Sequence, residues 1–273
     1  MKNSDSSVSE INIVALHGFT GNGLDFELLF NHLNLLLEGT YKLNIFAPTL
    51  LGHGSSKDRD CSVDDYLKQL VKYLFGISRF LKKGSNLNVL LGYSMGARLA
   101  LLHAISDSTL WDALILIGVN PGIKDSKKQE ERKTLDLDLV SILETQGIQS
   151  FINYWHSLPI IKPQLRAPSN FVQSMLERKK VLNPQGLSNS IKGFGQGVFP
   201  HLWDDIHSLR LPVLCMHGSM DKKYALINKA IKFRNPRVKV KSIKHCGHAP
   251  HIEDAPMVAS AASKFLLDIK RFE

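Results

Sequence analysis

Residues 92–96 of the 273-residue chain are Gly92-Tyr93-Ser94-Met95-Gly96, and this stretch decides the fold. It follows an apolar run, Leu87–Leu91, that predicts a buried strand, and it leads into a helical pattern from Met95 onward. A serine between a strand and a helix, flanked by glycines that leave room for a sharp turn, is typical of a nucleophile elbow. Ser94 is therefore predicted to stand at the carboxyl edge of a sheet as a catalytic residue.

The rest of the chain alternates short apolar runs with longer amphipathic stretches, which predicts strands followed by helices. Besides Leu87–Leu91, the predicted strands are Ile11–Leu16, Leu43–Phe46, Ala113–Gly118, Pro212–His217 and Val238–Ile243. The predicted helices are Phe26–Leu37, Val63–Leu81, Met95–Ile105, Tyr224–Phe233 and Ala255–Phe272. This alternation predicts an α/β fold with a mainly parallel, doubly wound sheet.

The alternation stops between Lys124 and Trp203, where helical patterns, prolines and glycines occur without a convincing strand. We therefore predict a helical lid over residues 124–203. It would be inserted into a core made of residues 1–123 and 204–273.

A catalytic serine needs a histidine base and a carboxylate that orients it, and elbow enzymes supply them in the chain order serine, acid, histidine. Asp221 follows the predicted strand Pro212–His217, and His248 follows the predicted strand Val238–Ile243. Both side chains would reach the edge at which Ser94 stands. His245 and His251 are the competing histidines.

Two backbone amides are predicted to stabilise negative charge on a substrate oxygen. The Met95 N–H lies at the amino end of the helix after Ser94, and the Phe19 N–H lies in the loop after the first strand. His17, in the same loop, is assigned a structural role as a hydrogen-bonding partner of that loop. The sequence therefore predicts an oxyanion hole at residues 19 and 95.

Charge and cysteine content limit the classes of partner. The net charge of +9, with 34 Lys+Arg against 25 Asp+Glu, fits nucleic acid, an anionic membrane surface or an acidic small substrate. The basic residues are scattered and no basic, aromatic-rich run occurs, so we favour a small anionic substrate and no nucleic acid, with a merely solvated basic surface as the alternative. Three cysteines without a CxxC pair support neither a disulfide framework nor a zinc site.

Two further patterns bear on location and on metal binding. No apolar run is long enough to cross a bilayer, and residues 1–7 lack the apolar region of a signal peptide, so we predict no membrane insertion and a cytoplasmic protein. His245, His248 and His251 also suggest a metal site, but no cluster of acidic or sulfur ligands accompanies them. We therefore predict no metal, with His245 and His251 as surface or loop residues.

The motifs together resemble the α/β-hydrolase superfamily along almost the whole chain. They are Leu16-His17-Gly18-Phe19, Gly52-His53-Gly54, Gly92-Tyr93-Ser94-Met95-Gly96 and Gly247-His248. A narrower set resembles the MenH family of the menaquinone pathway, the SHCHC synthases. It comprises Arg98 after the elbow, Pro121-Gly122-Ile123 followed by Arg132, Trp155 before Pro159, and Gly193-Phe194-Gly195-Gln196-Gly197 leading to Trp203.

The resemblance implies a lyase that expels pyruvate from a polycarboxylate cyclohexene, SEPHCHC, without a cofactor. Arg98, Arg132 and either Arg178 or Lys179 would bind the substrate carboxylates, because arginine pairs with carboxylates in a bidentate manner. Tyr93 and Trp155 would line the pocket. In this family Ser94 would act as a general base and not as an acyl acceptor.

Two alternatives remain at the level of sequence. The same triad and oxyanion hole serve a serine hydrolase of a carboxylate-bearing ester, thioester or carbon–carbon bond. A receptor that binds a small molecule without turning it over is the third hypothesis.

Overall fold

A single parallel sheet forms the centre of the protein. The computed structural model describes residues 9–54, 61–81 and 86–270, so the residues on which the signal-peptide argument rested lie outside the described part. Six strands lie in the order β2-β1-β3-β4-β5-β6, and each neighbouring pair is parallel. Their bounds are β1 Glu10–Leu16, β2 Lys42–Phe46, β3 Leu87–Tyr93, β4 Ala113–Ile117, β5 Val213–Gly218 and β6 Val238–Ile243. The predicted α/β fold is confirmed.

Helices cover both faces of the sheet. Their bounds are α1 Glu27–Leu37, α2 Val63–Gly76, α3 Met95–Ser106, α4 Ser126–Ser157, α5 Ser169–Lys180, α6 Pro184–Phe194, α7 Lys222–Arg234, α8 Pro250–Glu253 and α9 Ala255–Lys270. Helix α2 ends five residues before the predicted Leu81, because Ile77 leaves helical backbone angles and turn residues follow. The last two residues of the predicted final helix lie outside the described residues.

Burial explains the apolar runs that marked the strands. Strands β3, β4 and β5 are buried along their whole length, as expected when helices cover both faces of a parallel sheet. Helices α1 and α9 pack on one face, while α2, α3 and α7 contribute to the core on the other. The edge strand β6 exposes Lys239 and Lys241, and charged side chains of this kind discourage pairing with another sheet.

The chain between β4 and β5 is helical. Residues 118–212, all of which are described, contain α4, α5 and α6 and no strand. Helix α4 is broken at Gly147, whose φ of 76° lies outside the helical region, and it packs against α6 around a small apolar core. In the described part of the chain, no helix combines the length and the apolar character needed to cross a membrane.

Candidate active site

Ser94 occupies the sharp turn between β3 and α3. Its φ of 50° and ψ of −105° are rare for a residue with a side chain, and such strain concentrates at functional sites. The turn closes because Gly92 and Gly96 lack side chains: a Cβ at Gly96 would collide with the Leu16 carbonyl, and one at Gly92 with the Gly96 carbonyl. The elbow therefore has the geometry that presents a serine hydroxyl at the sheet edge.

His248 bridges Ser94 and Asp221. The His248 Nε2 lies 2.9 Å from the Ser94 Oγ, and the His248 Nδ1 lies 2.9 Å from an Asp221 carboxylate oxygen. The other Asp221 oxygen accepts the Tyr224 backbone N–H at 3.2 Å, which fixes the carboxylate at the start of α7. With Nδ1 donating to Asp221, Nε2 is free to accept the serine proton. The structure thus brings together the three residues predicted from their chain order.

The histidine ring has space because residue 118 is glycine. Gly118 follows β4 with a φ of 60°, and a Cβ there would lie 2.8 Å from the His248 Cε1. Any side chain at this position would therefore meet the catalytic ring as well as the strained backbone. The absence of a side chain at Gly118 therefore leaves the space that the His248 ring occupies.

The two residues predicted to supply the oxyanion amides line the same cavity as Ser94. Met95 is the first residue of α3, where an amide has no partner within the helix, and Phe19 lies in the loop after β1. His17 holds that loop: its Nε2 accepts the Leu50 N–H at 3.0 Å and its Nδ1 donates to the Gly18 carbonyl at 2.8 Å. This hydrogen bonding is the structural role expected for His17, and burial lowers its pKa and keeps the ring neutral.

A cavity opens above the triad and is roofed by the helical segment. It includes four of the five predicted substrate-binding residues, Tyr93, Arg98, Arg132 and Trp155. The remaining lining residues include Leu139, Ile160, Ile161, Gln164, Ser190, Ile191, Phe194, Gln196, Lys223 and Tyr224. Apolar walls with a few convergent polar groups are typical of small-molecule sites.

Arg98 is a buried cation with unused donors. Its guanidinium carbon lies 5.3 and 5.2 Å from the ring centres of Phe194 and Phe199, and Nη2 donates to the Phe194 carbonyl at 2.9 Å. Nε and Nη1 have no hydrogen-bond partner among the described residues. Burial lowers the pKa of Arg98 to about 10, so the group remains charged at neutral pH. A buried cation without an ion-pair partner can pair with an anion that enters the cavity it lines.

Arg132 already has partners within the protein. Its Nε and Nη2 lie 2.8 Å from one Asp136 carboxylate oxygen, and its Nη1 lies 3.1 Å from the Gln196 Oε1. Asp136 also accepts the Gly197 N–H at 2.9 Å, which holds the ion pair against the end of α6. The positive charge that Arg132 brings to the cavity is therefore partly balanced.

The third expected arginine lies outside the cavity, so its predicted role in binding the substrate is wrong. Arg178 does not line the cavity; its Nη2 lies 3.2 Å from the Asp25 carboxylate and its Nη1 donates to Ser174 at 2.7 Å. The alternative, Lys179, does not line it either, since its buried amine lies 3.3 Å from a His156 ring nitrogen. A buried carboxylate such as Asp25 needs a cation, and Arg178 forms this ion pair outside the cavity.

Gln164, Gln196, Lys223 and Tyr224 also line the cavity and were not predicted. The Tyr224 ring lies 4.4 Å from the His248 ring, and its hydroxyl accepts from the Gln196 side chain at 3.2 Å. Gln164 donates to the Tyr93 hydroxyl at 3.2 Å. Tyr224 could have been found, because it lies one helical turn after the capping Asp221; Gln164 carries no comparable sequence signal.

His251 is not a surface or loop residue, contrary to the sequence prediction. It is completely buried in α8, its ring lies 4.3 Å from that of Tyr93, and neither ring nitrogen has a partner among the described residues. Burial, assisted by the neighbouring His248, lowers the pKa of His251 to about 3, so it stays neutral. His245 is exposed as predicted, and the described residues contain no group of side chains that could hold a metal ion.

Comparison with known proteins agrees with the fold. The model of the alpha/beta hydrolase family matches residues 13–261, and the chain belongs to that family. Within it, the chain is similar to proteins named 2-succinyl-6-hydroxy-2,4-cyclohexadiene-1-carboxylate (SHCHC) synthase in several bacteria.

Three relatives illustrate the likeness. A Bacillus subtilis (strain 168) protein, provisionally given that name, is 28% identical over 94% of this chain and 90% of its own length. The synthase of Photorhabdus laumondii is 25% identical over 93% of this chain and 84% of its own length. The solved structure of MenH from S. aureus superposes with a TM-score of 0.83 and 29% identity, covering 95% of this chain and 94% of that one.

Proposed function

We propose that this protein is a carbon–oxygen lyase that eliminates pyruvate from SEPHCHC to give SHCHC, a step of menaquinone or phylloquinone biosynthesis. The observation that carries the proposal is Arg98, which lines the cavity that also contains Ser94 and whose buried guanidinium has no ion-pair partner and two nitrogens without a hydrogen-bond partner among the described residues. An ester hydrolase has no general need for such a charge, whereas a substrate with carboxylates does. The names of the relatives support the same reaction.

The proposed mechanism starts with proton removal. His248, oriented by Asp221, takes the Ser94 hydroxyl proton, and the serine oxygen removes the proton next to the substrate ketone. The electron pair moves onto the ketone oxygen, where the Phe19 and Met95 amides stabilise the enolate. Collapse of the enolate breaks the carbon–oxygen bond to the enolpyruvyl group. The departing enolpyruvate takes up a proton, which His248 can return through the serine, and becomes pyruvate.

The helical segment has a supporting role in this proposal. We propose that residues 124–203 act as a lid on a core made of residues 1–123 and 204–273. Trp155 and Phe19 pack with ring centres 5.4 Å apart, so the roof of the cavity meets the oxyanion loop directly. Such a contact would limit the entry of water, which competes for the enolate. The chain's own residues carry every step, and a charged, water-soluble substrate fits a cytoplasmic enzyme.

The decisive experiment is incubation of the protein with SEPHCHC while pyruvate release is followed by a coupled assay. We expect release that depends on Ser94, with the Ser94→Ala variant as the blank. Efficient turnover of nitrophenyl esters without pyruvate release would instead support the serine hydrolase, because its triad and oxyanion amides would be the same. Ligand-induced stabilisation without turnover of either substrate would support a receptor.

A further inference from the structure

The cavity contains one cation that neither the triad nor the predicted arginines account for. The cationic side chains that line it are Arg98, Arg132 and Lys223, and Asp136 is the single acid among the lining residues. The product named in the relatives carries a ring carboxylate and a succinyl carboxylate, and pyruvate carries a third. The inference below rests on the proposed function, since a substrate of this class brings three negative charges to the cavity.

The arginines do not supply three carboxylate sites. Arg98 has unused donors, but the Arg132 nitrogens are already hydrogen-bonded to Asp136 and Gln196. Arg178, the third expected partner, forms an ion pair with Asp25 outside the cavity. A substrate with three carboxylates would therefore lack a cation if arginines alone bound it.

Lys223 lies where the protein itself disfavours a positive charge. It is the second residue of α7, two positions after the capping Asp221, and the positive end of a helix dipole repels a cation there. Arg132 repels it as well: partial burial first, and then this neighbouring charge, lower the pKa of Lys223. Among the described residues Lys223 has no salt bridge, and its amine lies 5.7 Å from the Tyr224 ring centre. A bound anion would stabilise the positive charge of Lys223.

Lys223 lies where it could bind the substrate carboxylate that remains nearest the opening of the cavity. Lys223 is partly exposed to solvent and also lines the cavity, so it lies at the opening. It belongs to the core, whereas the nearby Arg132 belongs to α4 of the helical segment. Arg98 lies deep in the cavity, between two phenylalanine rings. Among the described residues that line the cavity, Arg98 and Lys223 are the cations without a salt bridge, and they mark an inner and an outer position.

We propose that Lys223 is a specificity-determining residue that binds an outer carboxylate of the substrate, so that the site selects molecules with several carboxylates over monocarboxylates. Asp221 favours the charged form of Lys223 through its negative charge, but it forms no salt bridge with the lysine; its carboxylate is hydrogen-bonded to His248 and to the Tyr224 amide. The ligand class is thus a compact, ring-sized polycarboxylate.

The test compares Lys223→Gln with Lys222→Gln, which removes the same charge one residue earlier, at an exposed position that does not line the cavity. Binding of propane-1,2,3-tricarboxylate and of cyclohexanecarboxylate is measured by calorimetry at low ionic strength, where charge interactions are least screened. We expect Lys223→Gln to weaken tricarboxylate binding about tenfold, the loss of one charged hydrogen bond. Monocarboxylate binding should not change, Lys222→Gln should bind both probes like the parent, and Lys223→Arg should restore affinity.

Three outcomes would overturn the inference. They are a parent protein without preference for the tricarboxylate, a Lys223→Gln variant that binds both probes like the parent, and equal loss in both glutamine variants. A second arm uses SEPHCHC, for which Lys223→Gln should raise KM about tenfold with kcat within about twofold. If the parent releases no pyruvate, the proposed lyase function fails, while the binding arm still decides whether Lys223 recognises polycarboxylates.

Discussion

Single side chains set the chemistry of the site, and Ser94 is the most direct to test. In the proposed mechanism its oxygen removes a proton, a contribution typically worth about 10² to 10⁴ in rate. We expect Ser94→Ala to lower kcat for pyruvate release by at least about 100-fold, as measured in the coupled assay. Ser106→Ala is the matched control, because that hydroxyl is exposed at the end of the same helix and bonds only its own helix backbone. A Ser94→Ala variant with nearly parental kcat would contradict the mechanism.

Arg98 should show opposite effects on activity and on stability. A buried charge with two unpartnered donors costs free energy in the empty protein, and replacing buried charges by apolar groups of similar size is often stabilising. We expect Arg98→Met to raise the free energy of unfolding by about 1 kcal/mol, measured by urea denaturation. The same variant should lower kcat/KM at least about tenfold, because one charged hydrogen bond is worth that much. A loss of stability together with retained activity would mean that Arg98 is structural.

The elements act through the few positions at which they approach each other. The loop after β4 carries Gly118, and the loop after β6 carries His248; their closeness sets the direction of the histidine ring. The elbow between β3 and α3 depends in the same way on glycines that face the carbonyls of a neighbouring strand and turn. Substitutions at these contacts therefore change the site without touching a catalytic side chain.

The Gly118→Ala variant tests whether the loop after β4 positions the His248 ring. An alanine at a positive φ costs about 1–2 kcal/mol of stability, and here its Cβ would also push the His248 ring. We expect kcat to fall at least about 100-fold, the scale of a misplaced catalytic group. Gly39→Ala is the control: its φ of 76° gives similar backbone strain, but no atom lies within 4 Å of the new Cβ. Similar activity losses in both variants would show that strain alone is responsible.

At the scale of the whole molecule, buried ionisable groups make stability depend on pH. Lys179 on α5 is buried with its amine against a His156 ring nitrogen, and burial lowers its pKa from 10.5 to about 8 despite the nearby Asp25. Arg178 lowers the pKa of Lys179 further. The unfolded chain therefore binds more protons than the folded one between about pH 8 and 10.5, and the contribution of Lys179 to stability rises with pH in that window.

Lys179→Met should remove this dependence. We expect the variant to be more stable than the parent at pH 7, by up to about 3 kcal/mol from the size of the pKa change, and the gain should shrink as the pH approaches 10.5. Urea denaturation from pH 7 to 10 measures the difference between the two proteins, so that tyrosine and cysteine ionisation largely cancels. Lys180→Met, at the exposed neighbour, should follow the parent. A constant difference between Lys179→Met and the parent at all pH values would refute the titration.

The sequence by itself determined the strands of the sheet and the three residues of the triad. The apolar runs fixed all six strands to within two residues, and the chain order of Ser94, Asp221 and His248 predicted three side chains that the fold brings within hydrogen-bonding distance. These predictions succeed because apolar periodicity and turn chemistry are local, and because parallel strands deliver their following loops to one edge.

Only the tertiary structure decided which charges face the cavity. Arg178 forms an ion pair with Asp25, which lies 153 positions earlier in the chain, while Lys223 lines the cavity. His251 is completely buried, although the sequence predicted a surface or loop residue. No local pattern carries this information. A buried carboxylate takes whichever cation packing places beside it, and that choice depends on how distant helices meet.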